Sequence, residues 1–137
     1  SPGCSPRTLP CCPSLSPRSY KVSSYAWGIL YEYGLSLTEN GPQVWRWLSG
    51  DKENLPAESP AKEIRLAVLR DGTTTTYEAA LPWSSLGLAG IGPGRTIGFA
   101  LAVNDDDGQG RKAVLWFDGI VHGEDPARFG RLTMLGD

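Results

Sequence analysis

The chain has little of what catalytic and nucleic-acid chemistry needs. In 137 residues it holds one histidine, His122, and three cysteines. Thirteen Lys and Arg stand against fifteen Asp and Glu, a net charge of -2. No basic field exists to draw in nucleic acid or an anionic membrane surface, so neither partner is expected. No apolar run approaches the roughly 18–20 residues of a membrane helix. Cys4, Cys11 and Cys12 are odd in number and two are adjacent, so they close no disulfide framework; with no CxxC spacing they do not suggest zinc either. They are expected to be free thiols. No Gly-x-Ser-x-Gly elbow, P-loop or HExxH motif occurs. A lone histidine in a glycine-flanked loop offers no acid/base pair, so an enzyme is not expected. The chain also starts without Met or a charged-then-apolar leader, and it reads as a fragment or a processed piece.

What is present points to short strands. Residues 1–19 are rich in Pro, Ser and Cys and lack apolar periodicity, so they cannot bury enough surface to offset their ordering entropy. A disordered tail is expected there, with the folded domain over residues 20–137. "WGILYEYGLSL" and "QVWRWL" are rich in β-formers and flank Asn40-Gly41, a tight-turn pair. "EIRLAVLR" alternates Ile64, Leu66 and Val68 on one face. Asp71-Gly72 marks a second hairpin, followed by Tyr77, Ala79 and Leu81 on one face of the return strand. "PWSSLGL" predicts one helical turn ended by Gly87. In "TIGFALAV", Ile97, Phe99, Leu101 and Val103 face one way and Gly98, Ala100 and Ala102 the other. The small side invites close approach, as by a neighbouring sheet. "AVLWF" predicts a buried strand, Asp125-Pro126 opens a short helix that Gly130 stops, and "RLTML" is the last strand. About seven short strands separated by turns predict an all-β antiparallel β-sandwich, jelly-roll-like.

"VNDDDGQGRK" is the most unusual segment. As an EF-hand starting at Asp105 it would need Glu at its twelfth position, which is Trp116, and helices at its flanks. An EF-hand is excluded. Two readings stay open. One is a hairpin connection whose aspartates bond loop N–H groups, partly neutralised by Arg111 and Lys112. The other is an irregular structural calcium site using Asp105, Asp107 and backbone carbonyls. Three adjacent aspartates do not pre-organise the two opposed carboxylates of glycoside hydrolysis.

"YEAALPWSSLGL", "GRTIGFALAVNDDDGQGRKAVLWF" and "DPARFGRLTML" occur in this order with short spacers. Together they resemble the family 9 carbohydrate-binding modules over residues 77–135; "YEYGLSLTENGPQVWRW" resembles the family's middle strands. The resemblance implies a sandwich of two antiparallel sheets attached to xylanases and other secreted polysaccharide enzymes. It implies a terminal sugar clamped between two tryptophans, and structural calcium in some members. The chemistry is general: apolar pyranose faces stack on indole while hydroxyls take directional hydrogen bonds.

This chain departs from that pattern. Gly123 occupies the position of one clamp tryptophan, two residues before Asp125-Pro126. The other clamp tryptophan lies upstream of "YEYGLSL", where this chain has only the tail and "YKVSSYAW". A family arginine on the middle strand falls near Gly34, and several N-terminal strands are missing.

Among the aromatics, Trp45 and Trp47 share a strand face and either form a stacking platform or cover the core. Trp83 and Trp116 are expected in the core. Tyr31 and Tyr33 share one face, with Glu32 on the other. The candidate carbohydrate-binding residues are Trp45, Trp47, Asp118 and His122. The expected function is a non-catalytic accessory domain for xylan- or glucan-type polysaccharide, secreted or at the cell surface, within a larger multidomain protein. The alternative is a structural or interaction sandwich that has lost sugar binding.

Overall fold

The computed structural model describes residues 19–106, 111–119 and 124–136. Nine strands lie among them: β1 (Ser19–Ala26), β2 (Ile29–Thr38), β3 (Gly41–Leu48), β4 (Ser59–Pro60), β5 (Arg65–Asp71), β6 (Thr74–Ala80), β7 (Thr96–Asp106), β8 (Arg111–Trp116) and β9 (Gly130–Thr133). The residues expected to form the tail fall outside the described part, except that Ser19 already opens β1. Seven strands form one sheet in the order β4-β3-β2-β1-β7-β8, with β9 also on β7; β5 and β6 form a second sheet. The pairings are antiparallel. The all-β sandwich is therefore present, with layers of unequal width.

The core lies between the layers. Val22, Tyr31, Tyr33, Leu35, Val44 and Ile97 of the large sheet meet Ile64 just before β5, Leu66 on it, and Leu86 and Leu88 beyond the hairpin. The alternation in β2 works as expected, with Tyr31 and Tyr33 inward and Glu32 on the opposite face. Burying such apolar side chains stabilises by about 1.5–3 kcal/mol each. The Tyr20 and Tyr77 rings touch at 4.4 Å, which sets β6 over β1. A polar rivet ties the layers together. Arg46, buried on β3, pairs with Glu63 and donates from Nε to the Tyr33 hydroxyl at 3.2 Å. Tyr33 in turn donates to the Ser85 carbonyl, and Ser85 Oγ donates to Glu63 at 2.8 Å.

The turns refine the sequence reading. Asn40-Gly41 is not the turn pair: Thr38 pairs with Gly41, so Glu39 and Asn40 form the connection. Only Gly41 has positive φ there (101°), the geometry of a bulge that follows an ordinary turn. Asn40 N–H donates to Thr38 Oγ1, and that hydroxyl donates to the Gly41 carbonyl. The second hairpin turns at Gly72-Thr73, with Gly72 at φ 60°. A third hairpin was not anticipated: Trp27 and Gly28 carry φ of 54° and 78° and join β1 to β2. The strand expected from "WGILYEYGLSL" begins only at Ile29.

"PWSSLGL" makes the expected turn, Trp83–Leu86, closed by Gly87 at φ 68°. Trp83, however, is not core; it is 48% exposed. A three-residue repeat points one edge inward, and Ser85 and Leu86 occupy it. Trp116 is likewise 43% exposed, and Val114, Leu115 and Phe117 are exposed beside it, so "AVLWF" is not a buried strand. A continuously apolar strand needs layers on both faces. Here Tyr77 of β6 packs on Tyr20 of β1, and among the described residues the second sheet has no further strand beyond β5 and β6 to cover β8. Trp116 instead packs edge-on against Phe99 and Phe117.

The small-residue side of β7 is covered by Phe129 from the returning chain, not by a neighbouring sheet: Ala100, Ala102 and Phe129 form a second buried cluster with Leu30. Asp125 caps Pro126–Arg128 as expected, its side chain accepting from Ala127 N–H. Gly130 does not stop that helix. It opens β9, and its missing side chain leaves room for the Phe117 ring.

Candidate functional site

The face of the large sheet turned away from the core carries the chemistry. Strand alternation drives Val44 and Arg46 inward and leaves Trp45 and Trp47 outward on β3. Cross-strand register then sets the neighbours. Trp45 stands opposite Gly34, and Gly34 opposite Lys21. One row along, Glu32 stands opposite Ser23, and Ser23 opposite Ala100. An aromatic pair therefore borders a polar floor.

The two indoles are 6.0 Å apart, tilted by 59°. They do not form one flat platform; Trp47 is 48% exposed and Trp45 is half-buried. The Trp45 indole N–H is buried without a partner among the described residues. Gly34 seats the outer ring: a Cβ there would stand 2.8 Å from Trp47 Nε1.

The floor is charged. Glu32 is buried, accepts from Ser23 Oγ at 3.3 Å and lies 3.1 Å from Lys21 Nζ. Glu124 comes within 3.9 Å of the same ammonium. Burial, a hydrogen bond with Glu32 and the charge of Glu32 push the Glu124 carboxyl up to about 7, against the opposing pull of Lys21. Sequence reasoning missed Lys21, Ser23, Glu32 and Glu124. Glu32 had a signal, its position opposite to the two core tyrosines, but only the register shows that Lys21 and Ser23 share its face.

Trp45 and Trp47 are thus brought together. Asp118 is not aimed at them: it bonds its neighbour's backbone N–H at 2.7 Å and Arg128 at 2.9 Å, bracing the turn after β8. His122 and Gly123 lie outside the described residues. So does Asp107, one of the two calcium candidates. Asp105 sits on β7, where register sets Lys112 opposite it and Arg111 opposite Asp106. Among the described residues no group of three or more His, Cys, Asp or Glu is placed to hold a metal.

No curated protein and no solved structure matches the chain. A family model, described as carbohydrate family 9 binding domain-like, matches residues 42–137. That span includes both tryptophans of the exposed face, the second hairpin and every later strand, and the chain belongs to the carbohydrate family 9 binding domain-like family.

Proposed function

We propose that this is a non-catalytic carbohydrate-binding domain whose ligand lies on the Trp45–Trp47 face. One observation carries the reading: an exposed indole borders a floor of Lys21, Ser23 and Glu32 on the same sheet face. A pyranose offers the matching pair of surfaces, an apolar face for Trp47 and hydroxyls for the partly exposed Lys21 ammonium, which the buried Glu32 carboxylate holds in place. The family's own chemistry supports the class of ligand. The finer identity, xylan- or glucan-type polysaccharide and its chain ends, is part of the proposal. So are secretion or cell-surface display, attachment to a larger protein and a structural calcium at Asp105 and Asp107. His122 and Asp118 remain proposed contributors from the loop side.

The alternative is a structural or interaction sandwich without sugar binding. The exposed Val114, Trp116 and Phe117 on β8 and the turn after it favour it, because uncovered apolar surface marks contact sites. Calorimetric titration with xylo- and cello-oligosaccharides, with and without calcium, separates the two. Saturable heat that Trp47→Ala abolishes supports the carbohydrate reading. A folded sample that gives no heat with either series, in either condition, rejects it.

A further inference from the structure

We propose, building on the carbohydrate reading above, that the ligand of this face is the interior of a neutral polysaccharide chain, held along a row of uncharged polar side chains that crosses the sheet beside the indoles. Register builds the row. Gln43 on β3 stands opposite Ser36 on β2, Ser36 opposite Ser19 on β1, and Ser19 opposite Asn104 on β7. Gln43 is two residues from Trp45 on β3, so alternation puts the row on the face of the tryptophans. At about 4.8 Å per strand the four positions span about 14 Å. All four are half-buried, and none makes a side-chain hydrogen bond among the described residues. Other polar side chains of the sheet are taken: Ser23 by Glu32, Thr38 by the Gly41 carbonyl, Arg46 by Glu63.

Trp47 flanks this row. The ladder between β2 and β3 shifts register between Glu32 and Tyr33, which pair with Leu48 and Arg46, so Trp47 is the extra residue of a bulge. Its Nε1 lies 2.8 Å from where a Gly34 Cβ would stand, one same-face step along β2 from Ser36. The indole offers its surface to the apolar face of one sugar ring, and the row offers amides and hydroxyls to the rings that follow. Those groups both donate and accept, as sugar hydroxyls do, and without a charge they match no phosphate or carboxylate. Neither margin is closed by a strand among the described residues. β4 pairs with β3 only at Trp45 and Arg46, short of Gln43. At the other margin β8 sets Ala113 opposite Asn104 and is the last strand in that order. A row that runs from margin to margin suits a chain that continues past it on both sides.

Bound domains would be counted on soluble linear cello- and xylo-polysaccharides of known chain length, beside calorimetry with the matching oligosaccharides from biose to hexaose. Interior binding loads more copies than there are chain ends. Affinity should rise with length until the oligosaccharide spans the row, and reducing the terminal sugar to its alditol should leave the hexaose unaffected. Gln43→Ala combined with Ser36→Ala should weaken the hexaose roughly tenfold and the biose far less, with the circular dichroism of the folded chain retained. Copies limited to the number of chain ends overturn the interior-chain proposal, as does affinity lost on reduction or full hexaose affinity in the double variant. In each of those cases saturable heat that Trp47→Ala abolishes leaves the carbohydrate reading standing. No saturable heat at any length rejects both.

Discussion

At Gly34 a Cβ would stand 2.8 Å from the Trp47 indole nitrogen. The neighbour that must yield is a half-exposed ring, so Gly34→Ala should displace Trp47 at a stability cost of about 1 kcal/mol or less. Its larger effect should fall on the ligand: a shifted tryptophan emission and oligosaccharide affinity weakened by roughly tenfold, about 1.4 kcal/mol. Unchanged emission would show that the ring does not rest on that backbone. Arg46 poses the opposite case. It is 2% exposed and its counter-charge is Glu63. Removing one partner of a fully buried pair costs about 3–5 kcal/mol; since about a third of the Glu63 side chain is exposed (34%), Glu63→Ala should lose less, roughly 2 kcal/mol in urea unfolding at pH 7.

At the scale of the element, the first hairpin is the least expected. Its turn puts Trp27 and Gly28 at positive φ, a pairing whose twist matches the strands but which suits Asn-Gly far better than Trp-Gly. A left-handed conformation costs a bulky L-residue about 1–2 kcal/mol, and Trp27 is mostly exposed. Trp27→Asn should therefore raise stability by roughly 0.5–1 kcal/mol in thermal or urea unfolding. No gain would mean that the indole makes contacts worth as much as the strain. The second hairpin was readable because Asp71-Gly72 is a strong turn signal; the first was not, because nothing in "YAWGIL" announces a reversal.

Over the whole molecule, two carboxyls of opposite behaviour shape the pH profile. Burial opposes ionisation of Glu63, but hydrogen bonds from its own backbone, Arg46 and Ser85, with the Arg46 charge, hold its carboxyl below the usual value. Its contribution is present above the ordinary carboxylate range and is lost as pH falls through the lowered value. Glu124 is raised, so its contribution is lost as pH climbs from about 4.5 through about 7. Thermal unfolding across pH 3–9 should thus show greatest stability near pH 5, a rough position set by these two groups. Glu124→Gln should flatten the high-pH limb alone. A wild-type optimum well above pH 7 would contradict the raised Glu124.

Local pattern determined much of this protein. Period-two alternation in "YEYGLSL", "QVWRWL" and "TIGFALAV" fixes which side chains share a face, because strand geometry leaves no other choice. It also places Trp45 and Trp47 together and, with the ordered motifs of the C-terminal half, points to the family. Tertiary structure decided how far each face is covered and which strands stand side by side. Trp83 and Trp116 look like core residues in isolation, yet the narrow second sheet and the short turn leave them exposed. Lys21, Ser23, Glu32 and Glu124 come from distant positions in the chain and meet only because β1 pairs with β2 and the returning segment folds back over β7. Register and layer width arise from long-range contacts, and no single stretch of residues contains them.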